Sequence, residues 1–318
     1  MLQDSSMFKF GHIFKHDLTK HFIYTMFIVV VASFITYTLI NIRLDKTVAK
    51  VVTQSLTGQD VRILPHPENA AYVERGSPYD NRSLEGSPAA NVIFHGSRDK
   101  KKIALTFDAE MTDGMKADLV SGRVKSSYDK RIIDILSQTK TKATLFLTGL
   151  WIEIYPQITK ELSENPLFEL GSHSYTDSSY YGFCYGLKQI PNTVKIEDIG
   201  ATEKLLREHA GIDNRLFRFP GGCYTPADVK LVNEANDTVV HWDVSASDGF
   251  NTNIQQIIHN IVDNTQNGSI IIMHLNGAPN SPKTADALPT IISTLKAKGF
   301  EFVKVSELLG FPPEPRVN

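Results

Sequence analysis

Asp108 and Glu110 close the apolar run IALTFDAE two residues apart, which turns both carboxylates to one side of an extended chain and Ala109 to the other. Two carboxylates at one spot suit general-base work or cation binding, and the alternative is that they cap the segment that follows. His173 and Asp177 stand four apart in FELGSHSYTD. On a helical turn that spacing brings Cβ atoms to about 5–6 Å, which suits one metal ion, although such a pair also arises by chance. Arg218 precedes Pro220, Gly221 and Gly222 in LFRFPGGCYTP; arginine can hold a carboxylate bidentately and glycines let backbone N–H groups approach a substrate, yet a plain tight turn reads the same way. The segments VVHWDVSASDGF and SIIIMHLNG supply Trp242, Asp248 and His274. A lone histidine ending an apolar run is commonly a satisfied core residue.

The elements that must position these groups alternate after Asp99. Strand patterns cover Lys102–Phe107, Ala143–Thr148, Leu167–Gly171, Arg215–Phe219, Thr238–Val244, Ser269–His274 and Glu301–Lys304. Helical periods cover Tyr128–Gln138, Pro156–Ser163, Ile196–Ala210, Pro226–Asn236, Ile254–Asn264 and Thr284–Ala297. This alternation predicts a parallel sheet covered by helices, either a barrel or an open sheet, and seven strands in about 210 residues suggest a compact or incomplete barrel. In such barrels reactive groups gather at the C-terminal ends of strands, where each of the segments above falls.

Taken in order, FDxE, HSxxD, RxPxG, WDxxxxD and an apolar strand ending in histidine resemble the motifs of the polysaccharide deacetylase family, the NodB-homology or carbohydrate esterase family 4 domain. The likeness runs from about Lys101 to Leu309 and includes KATLFLTG and TADALPTIISTLKAKGFEFVKVSEL. It implies an α/β fold, a deformed or incomplete (β/α) barrel of NodB type, and one divalent metal ion, zinc first, with manganese, magnesium or iron as alternatives. It also implies Asp108 as base, Arg218 as the residue that orients it, His274 as acid and Asp248 as the carboxylate that tunes the acid. Metal ligands are expected at Glu110, His173 and Asp177, and substrate or oxyanion contacts at Gly221, Gly222, Tyr224 and Trp242. Three places depart from the family pattern: Ala109 where a ligand aspartate is usual, Asp177 where a histidine is usual, and Gly249 where a tryptophan is common. A Glu/His/Asp set is harder and richer in oxygen than Asp/His/His.

Phe22–Ile42 is an uncharged run of 21 residues, enough at about 1.5 Å per residue to cross roughly 30 Å of hydrocarbon. No small-x-small site closes it before Arg43, so an uncleaved anchor is expected, and flanking lysines and arginines do not decide its orientation. The expected organisation is a cytoplasmic tail (1–21), a transmembrane signal-anchor helix (22–42), a Pro- and Gly-containing extracytoplasmic linker (43–98), the deacetylase domain (99–310) and a short tail (311–318). NVIFHG at the end of the linker is a candidate strand. With 33 basic against 35 acidic residues the chain has no charge excess to draw it to nucleic acid. Cys184 and Cys223 read as packing thiols by default, with one bridge permitted outside the cytoplasm. The expected partners are an acetylated amino-sugar polysaccharide and, through the N-terminal helix, a membrane. The leading reading is N-deacetylation of that polysaccharide; an O-acetyl esterase and a non-catalytic saccharide-binding domain with a degenerate metal site stay open.

Overall fold

Strand β2, Lys102–Ala109, is buried at every residue after Lys102, as only a strand with neighbours on both edges and cover on both faces can be. The computed structural model describes residues 92–312. Around β2 lie β1 (Val92–Ile93), β3 (Ala143–Leu147), β4 (Phe168–Ser172), β5 (Leu216–Phe217), β6 (Thr238–Val240), β7 (Val244–Ser245), β8 (Ile270–His274) and β9 (Glu301–Val303). They pair in the order β1-β6-β5-β4-β3-β2-β8-β7, every pair parallel, with β9 on the start of β2. The helices are α1 (Asp113–Val120), α2 (Lys130–Gln138), α3 (Gly149–Ile154), α4 (Pro156–Glu164), α5 (Lys195–Ala210), α6 (Pro226–Glu234), α7 (Ile254–Val262), α8 (Thr284–Ala297) and α9 (Val305–Leu309).

The period of two sorts each strand into two faces. Ile103, Leu105, Phe107 and Ala109 join the large core formed with the helices, whereas Ala104 packs inward with Phe146, Leu216, Val240 and Ile270. Thr106 and Asp108 share the inward parity of Ala104. Gly171 makes the inner packing feasible, because a Cβ there would lie 2.7 Å from the Phe146 ring. Helix starts are set locally: Thr225 and Asp228 form a capping box at α6 with Pro226 at its first turn, and Asn253 caps α7.

Several expectations are corrected. The stretch Thr238–Val244 is two strands, because the chain leaves β6 on one side of the sheet path and joins β8 on the other. Between them the His241 N–H donates to Ile93 O (2.7 Å) and the Asp243 N–H to Ile270 O (3.2 Å), so irregular backbone bridges the two ends of the curled sheet. The linker reading of 43–98 is too long: β1 pairs in register with β6, Val92 opposite Val239, so the domain starts before residue 99. Helices α1 and α3 were not expected, since α1 buries no residue and α3 is only six residues long, too short to show a helical period. Cys184 and Cys223 are joined in a disulfide with a sequence separation of 39, which overturns the packing-thiol default. By chain entropy, closing a loop of that length is worth about 4 kcal/mol.

Residues 1–91 and 313–318, with the expected anchor Phe22–Ile42, lie outside the described residues. Among the described residues no helix is long and apolar enough to cross a membrane.

Candidate active site

Inward parity carries the reactive groups to one end of the sheet. Asp108 and Glu110 follow Thr106 on β2, His173 follows Gly171 on β4, Arg218 follows Leu216 on β5, Trp242 follows Val240 on β6, and His274 follows Ile272 on β8. All lie at C-terminal strand ends, where a parallel barrel leaves its strands open to ligands.

Arg218 and Asp108 form a buried ion pair, Nη1 to Oδ1 at 2.8 Å. The same Nη1 donates to Thr106 Oγ1 at 2.8 Å, Nε donates to Val240 O and Nη2 to His241 O, each at 3.2 Å. The guanidinium lies 4.0 Å from the Phe146 ring centroid and 5.6 Å from that of Trp242. Burial pulls the Arg218 guanidinium below its ordinary pKa, and the Asp108 charge opposes that pull. A buried pair this fully bonded fixes one oxygen of Asp108 and leaves Oδ2 aimed at His173 Nε2, 3.5 Å away.

His173 Nδ1 lies 2.9 Å from the Arg218 carbonyl oxygen, an acceptor, so Nδ1 carries hydrogen and Nε2 is the ring atom that faces the carboxylates. That nitrogen and Asp177 Oδ1, 3.8 Å apart, are both buried without a hydrogen-bond partner. One donor atom from each of Glu110, His173 and Asp177 lies within 4.8 Å of the others. Clustered carboxylates and an imidazole nitrogen, buried without hydrogen-bond partners, are unfavourable until something positive lies between them, so this set fits a divalent cation. Burial first, then the Glu110 and Asp108 charges, holds the Asp177 carboxyl well above the ordinary range.

The route by which Asp177 reaches His173 corrects the helical-turn expectation. Residues 173–177 are irregular, with Ser174 (φ 64°) and Asp177 (φ 56°) in the left-handed region. Asp198 on α5 secures this loop, its Oδ2 accepting the Tyr175 N–H (3.1 Å) and the Tyr180 hydroxyl (2.8 Å). Replacing Asp198 by alanine is therefore expected to weaken cation affinity about 10–100-fold, as loss of a group that orients ligands does. Titration calorimetry of the metal-free protein checks this, and an unchanged dissociation constant would remove Asp198 from that role.

His274 completes the opposite wall. Its Nδ1 lies 2.7 Å from Asp248 Oδ1 and its Nε2 3.3 Å from Glu110 Oε1. Asp248 Oδ2 accepts the His274 backbone N–H at 2.9 Å and the Thr284 hydroxyl at 2.5 Å. Burial alone would lower the His274 pKa, but the Asp248 and then the Glu110 carboxylates raise it well above the ordinary value. Asp248 shows the converse: burial would raise it, and the His274 charge and hydrogen bonds pull it down. The neighbouring His241 is lowered to about 3 by burial and by Arg218, so it stays neutral and is no proton donor.

The glycine turn divides the substrate expectations. Gly221 (φ 59°) and Gly222 (φ 68°) both take conformations that favour glycine. The Gly222 N–H donates to Phe219 O (2.9 Å) and the Cys223 N–H to Pro220 O (3.3 Å), so Gly222 is corrected from oxyanion donor to turn former and Gly221 remains the candidate. Tyr224 is corrected too: it is buried and stacked on Phe219 at 4.7 Å in a hydrophobic cluster. Trp242 is half-buried against Gly222, with its ring 5.6 Å from the Arg218 guanidinium. Sequence reading missed Asn276, whose side chain donates to Glu110 O (2.6 Å) and accepts the Glu110 N–H (3.1 Å). Its signal was available, two residues past His274 on the same parity. Thr284 and Asp198 sit on helices with nothing in the sequence to connect them to strand ends.

Residues 95–240 match the family model described as polysaccharide deacetylase, a range that holds Asp108, Glu110, His173, Asp177, Arg218 and Gly221. Over that range the sequence matches the polysaccharide deacetylase (NodB) domain. Members of this family are hydrolases. Among polysaccharide deacetylases, the chain is 29% identical over 229 residues to a peptidoglycan-N-acetylglucosamine deacetylase of Bacillus cereus, covering 71% of this chain and 97% of that protein. It is 27% identical to the peptidoglycan-N-acetylglucosamine deacetylase PgdA of Listeria monocytogenes over 67% of this chain and 40% of the relative. A solved peptidoglycan N-acetylglucosamine deacetylase in complex with an N-hydroxybenzamide superimposes with TM-score 0.62 at 26% identity, over 74% of this chain and all of that one. A carbohydrate esterase family 4 pseudoenzyme from Bacillus anthracis, 23% identical, shares the fold with TM-score 0.56 over 69% of each chain.

Proposed function

We propose that this protein hydrolyses the acetamide of N-acetylhexosamine units in a cell-surface polysaccharide, N-acetylglucosamine of peptidoglycan being the first candidate, with a divalent cation held by Glu110, His173 and Asp177. The observation that carries the reading is the convergence of those three donors within 4.8 Å beside Asp108 and His274. It favours an active over a degenerate site, because Glu110 takes the place left by Ala109 and Asp177 that of the usual histidine. The activities for which the relatives are named supply the substrate class.

When bound, the cation would lower the pKa of a water and polarise the acetamide carbonyl. Asp108, with Oδ1 engaged by Arg218, keeps Oδ2 to receive the proton of the attacking water. The Gly221 N–H is the candidate donor to the developing oxyanion. Protonated His274, its charge matched by Asp248, delivers a proton to the departing nitrogen as the C–N bond breaks, giving free amine and acetate. Zinc is the first ion to supply; the oxygen-rich donor set makes manganese, magnesium and iron the next.

We place the domain outside the cytoplasm on the anchor Phe22–Ile42. The Cys184–Cys223 disulfide supports that placement, since such bridges persist in oxidising compartments. Acetate release from peptidoglycan or an N-acetylglucosamine polymer by the full chain, supplied with each cation in turn, is the expected result. No release from any amino-sugar polymer under all four metals would remove the deacetylase assignment.

A further inference from the structure

The segment 180–187, YYGFCYGL, projects large apolar rings into solvent beside the site: Tyr181 is 58% exposed, Phe183 82% and Tyr185 83%. Exposed aromatics scattered singly need no explanation, but three within five positions do. Cys184 to Leu187 forms a two-residue hairpin turn, closed by the Leu187 N–H donating to Cys184 O at 2.8 Å. Its central residues, Tyr185 (φ 49°) and Gly186 (φ 88°), are both left-handed, as a type I′ turn requires. The first of these positions favours asparagine, aspartate or glycine, so tyrosine there is a local cost with no return from burial.

The hairpin is tied to the site. The Cys184–Cys223 disulfide joins it to the Pro220–Gly222 turn, and a Cβ on Gly221 would lie 2.6 Å from Cys184 Sγ and 3.2 Å from the Tyr185 ring. Tyr185 thus stands against Gly221, the candidate oxyanion residue. A second aromatic repeats the pattern across the sheet order: Phe250, 72% exposed and also left-handed (φ 54°), lies two residues past Asp248. The hairpin rises from the β4–β5 side of β2 and Phe250 from the β7–β8 side, with Asp108 and Glu110 between them in strand order.

We propose that Tyr181, Phe183 and Tyr185 on one side, and Phe250 on the other, form stacking platforms for sugar rings flanking the unit that is deacetylated, so that the site prefers a polymer to a short oligosaccharide. Pyranose rings offer apolar C–H faces edged with hydroxyls, and an exposed tyrosine pairs an apolar face with a polar tip. This rests on the deacetylase reading for its substrate class. Placing exposed rings, one of them at a strained position, on a hairpin pinned to the glycine turn is the arrangement that a polymer running across both rims would use.

Tyr185→Asn removes a ring while giving the turn a residue that suits it, and Phe183→Ser is the second variant. In the full chain with cation supplied, kcat/KM for acetate release is compared on the β-1,4-linked dimer and hexamer of N-acetylglucosamine, and hexamer binding is titrated by calorimetry. Each variant is expected to lower the hexamer-to-dimer ratio of kcat/KM about tenfold, ~1.4 kcal/mol, mainly through KM on the hexamer. An unchanged ratio in an active enzyme overturns the platforms, and is what a membrane-facing role for these rings would produce. Should neither wild type nor variants release acetate, the deacetylase reading fails separately and calorimetry decides the platforms. Weaker hexamer binding by the variants then upholds them, and equal or absent binding overturns them.

Discussion

Replacing Asp108 by asparagine is expected to reduce acetate release by at least about 1,000-fold, the scale of a lost general base, while cation stoichiometry stays at the wild-type level. The reasoning starts from the division of labour between the two carboxylate oxygens. Oδ1 is occupied by the buried Arg218 guanidinium at 2.8 Å, so only Oδ2 is left to take a proton. Asparagine can keep an oxygen toward Arg218 yet cannot accept a proton at neutral pH. Glu110, His173 and Asp177 are untouched, so the cation should remain. The substitution also strips Arg218 of its counter-charge, and breaking a buried pair costs about 3–5 kcal/mol, so a lowered melting temperature is expected as well. Circular dichroism and metal analysis on the same sample separate loss of the base from loss of the fold. A folded, cation-loaded variant retaining a tenth of the activity would show that Asp108 is not the base.

The alternation of apolar residues made much of this site legible beforehand. Because β2 is extended through Ala109, the two-residue spacing of Asp108 and Glu110 sets both on the inner face and buries Ala109 against the helices, as parity requires. The same rule places His173, Arg218 and His274. Where the backbone leaves regular geometry, spacing ceases to predict position: Asp177 reaches His173 through left-handed residues rather than a helical turn. The Gly222 N–H is consumed by a turn whose closure no residue pattern announces. Tyr224 is a substrate contact only by the family resemblance, and aromatic stacking with Phe219 takes it into the core. The disulfide depended on a tertiary approach between residues 39 apart, and helix α1 buries nothing, so it has no apolar stripe to read.

Removal of the cation is expected to destabilise the protein, and by more at pH 8 than at pH 5. In the metal-free protein the Asp177 carboxyl is held well above its ordinary pKa by burial and by the Glu110 and Asp108 charges. A carboxyl whose folded-state pKa is raised contributes stability that is complete below the unfolded value, near 3.8, and is lost as pH rises toward the folded value. The metal-free form therefore weakens with rising pH. His274, also raised by its carboxylate neighbours, adds to the same trend above its ordinary range. A divalent cation reverses the Asp177 contribution, because it takes the place of the proton and turns the clustered carboxylates from mutual repulsion into ligands. Binding should consequently release a proton and tighten with pH. At a hundredfold excess over its dissociation constant the cation contributes about 2.7 kcal/mol, and a domain of this size then gains roughly 5–10 °C in melting temperature. Scanning calorimetry with and without chelator at both pH values measures the difference directly. A melting temperature indifferent to chelator at both would mean that Glu110, His173 and Asp177 hold no ion, and the hydrolytic chemistry would lose the centre on which it is built.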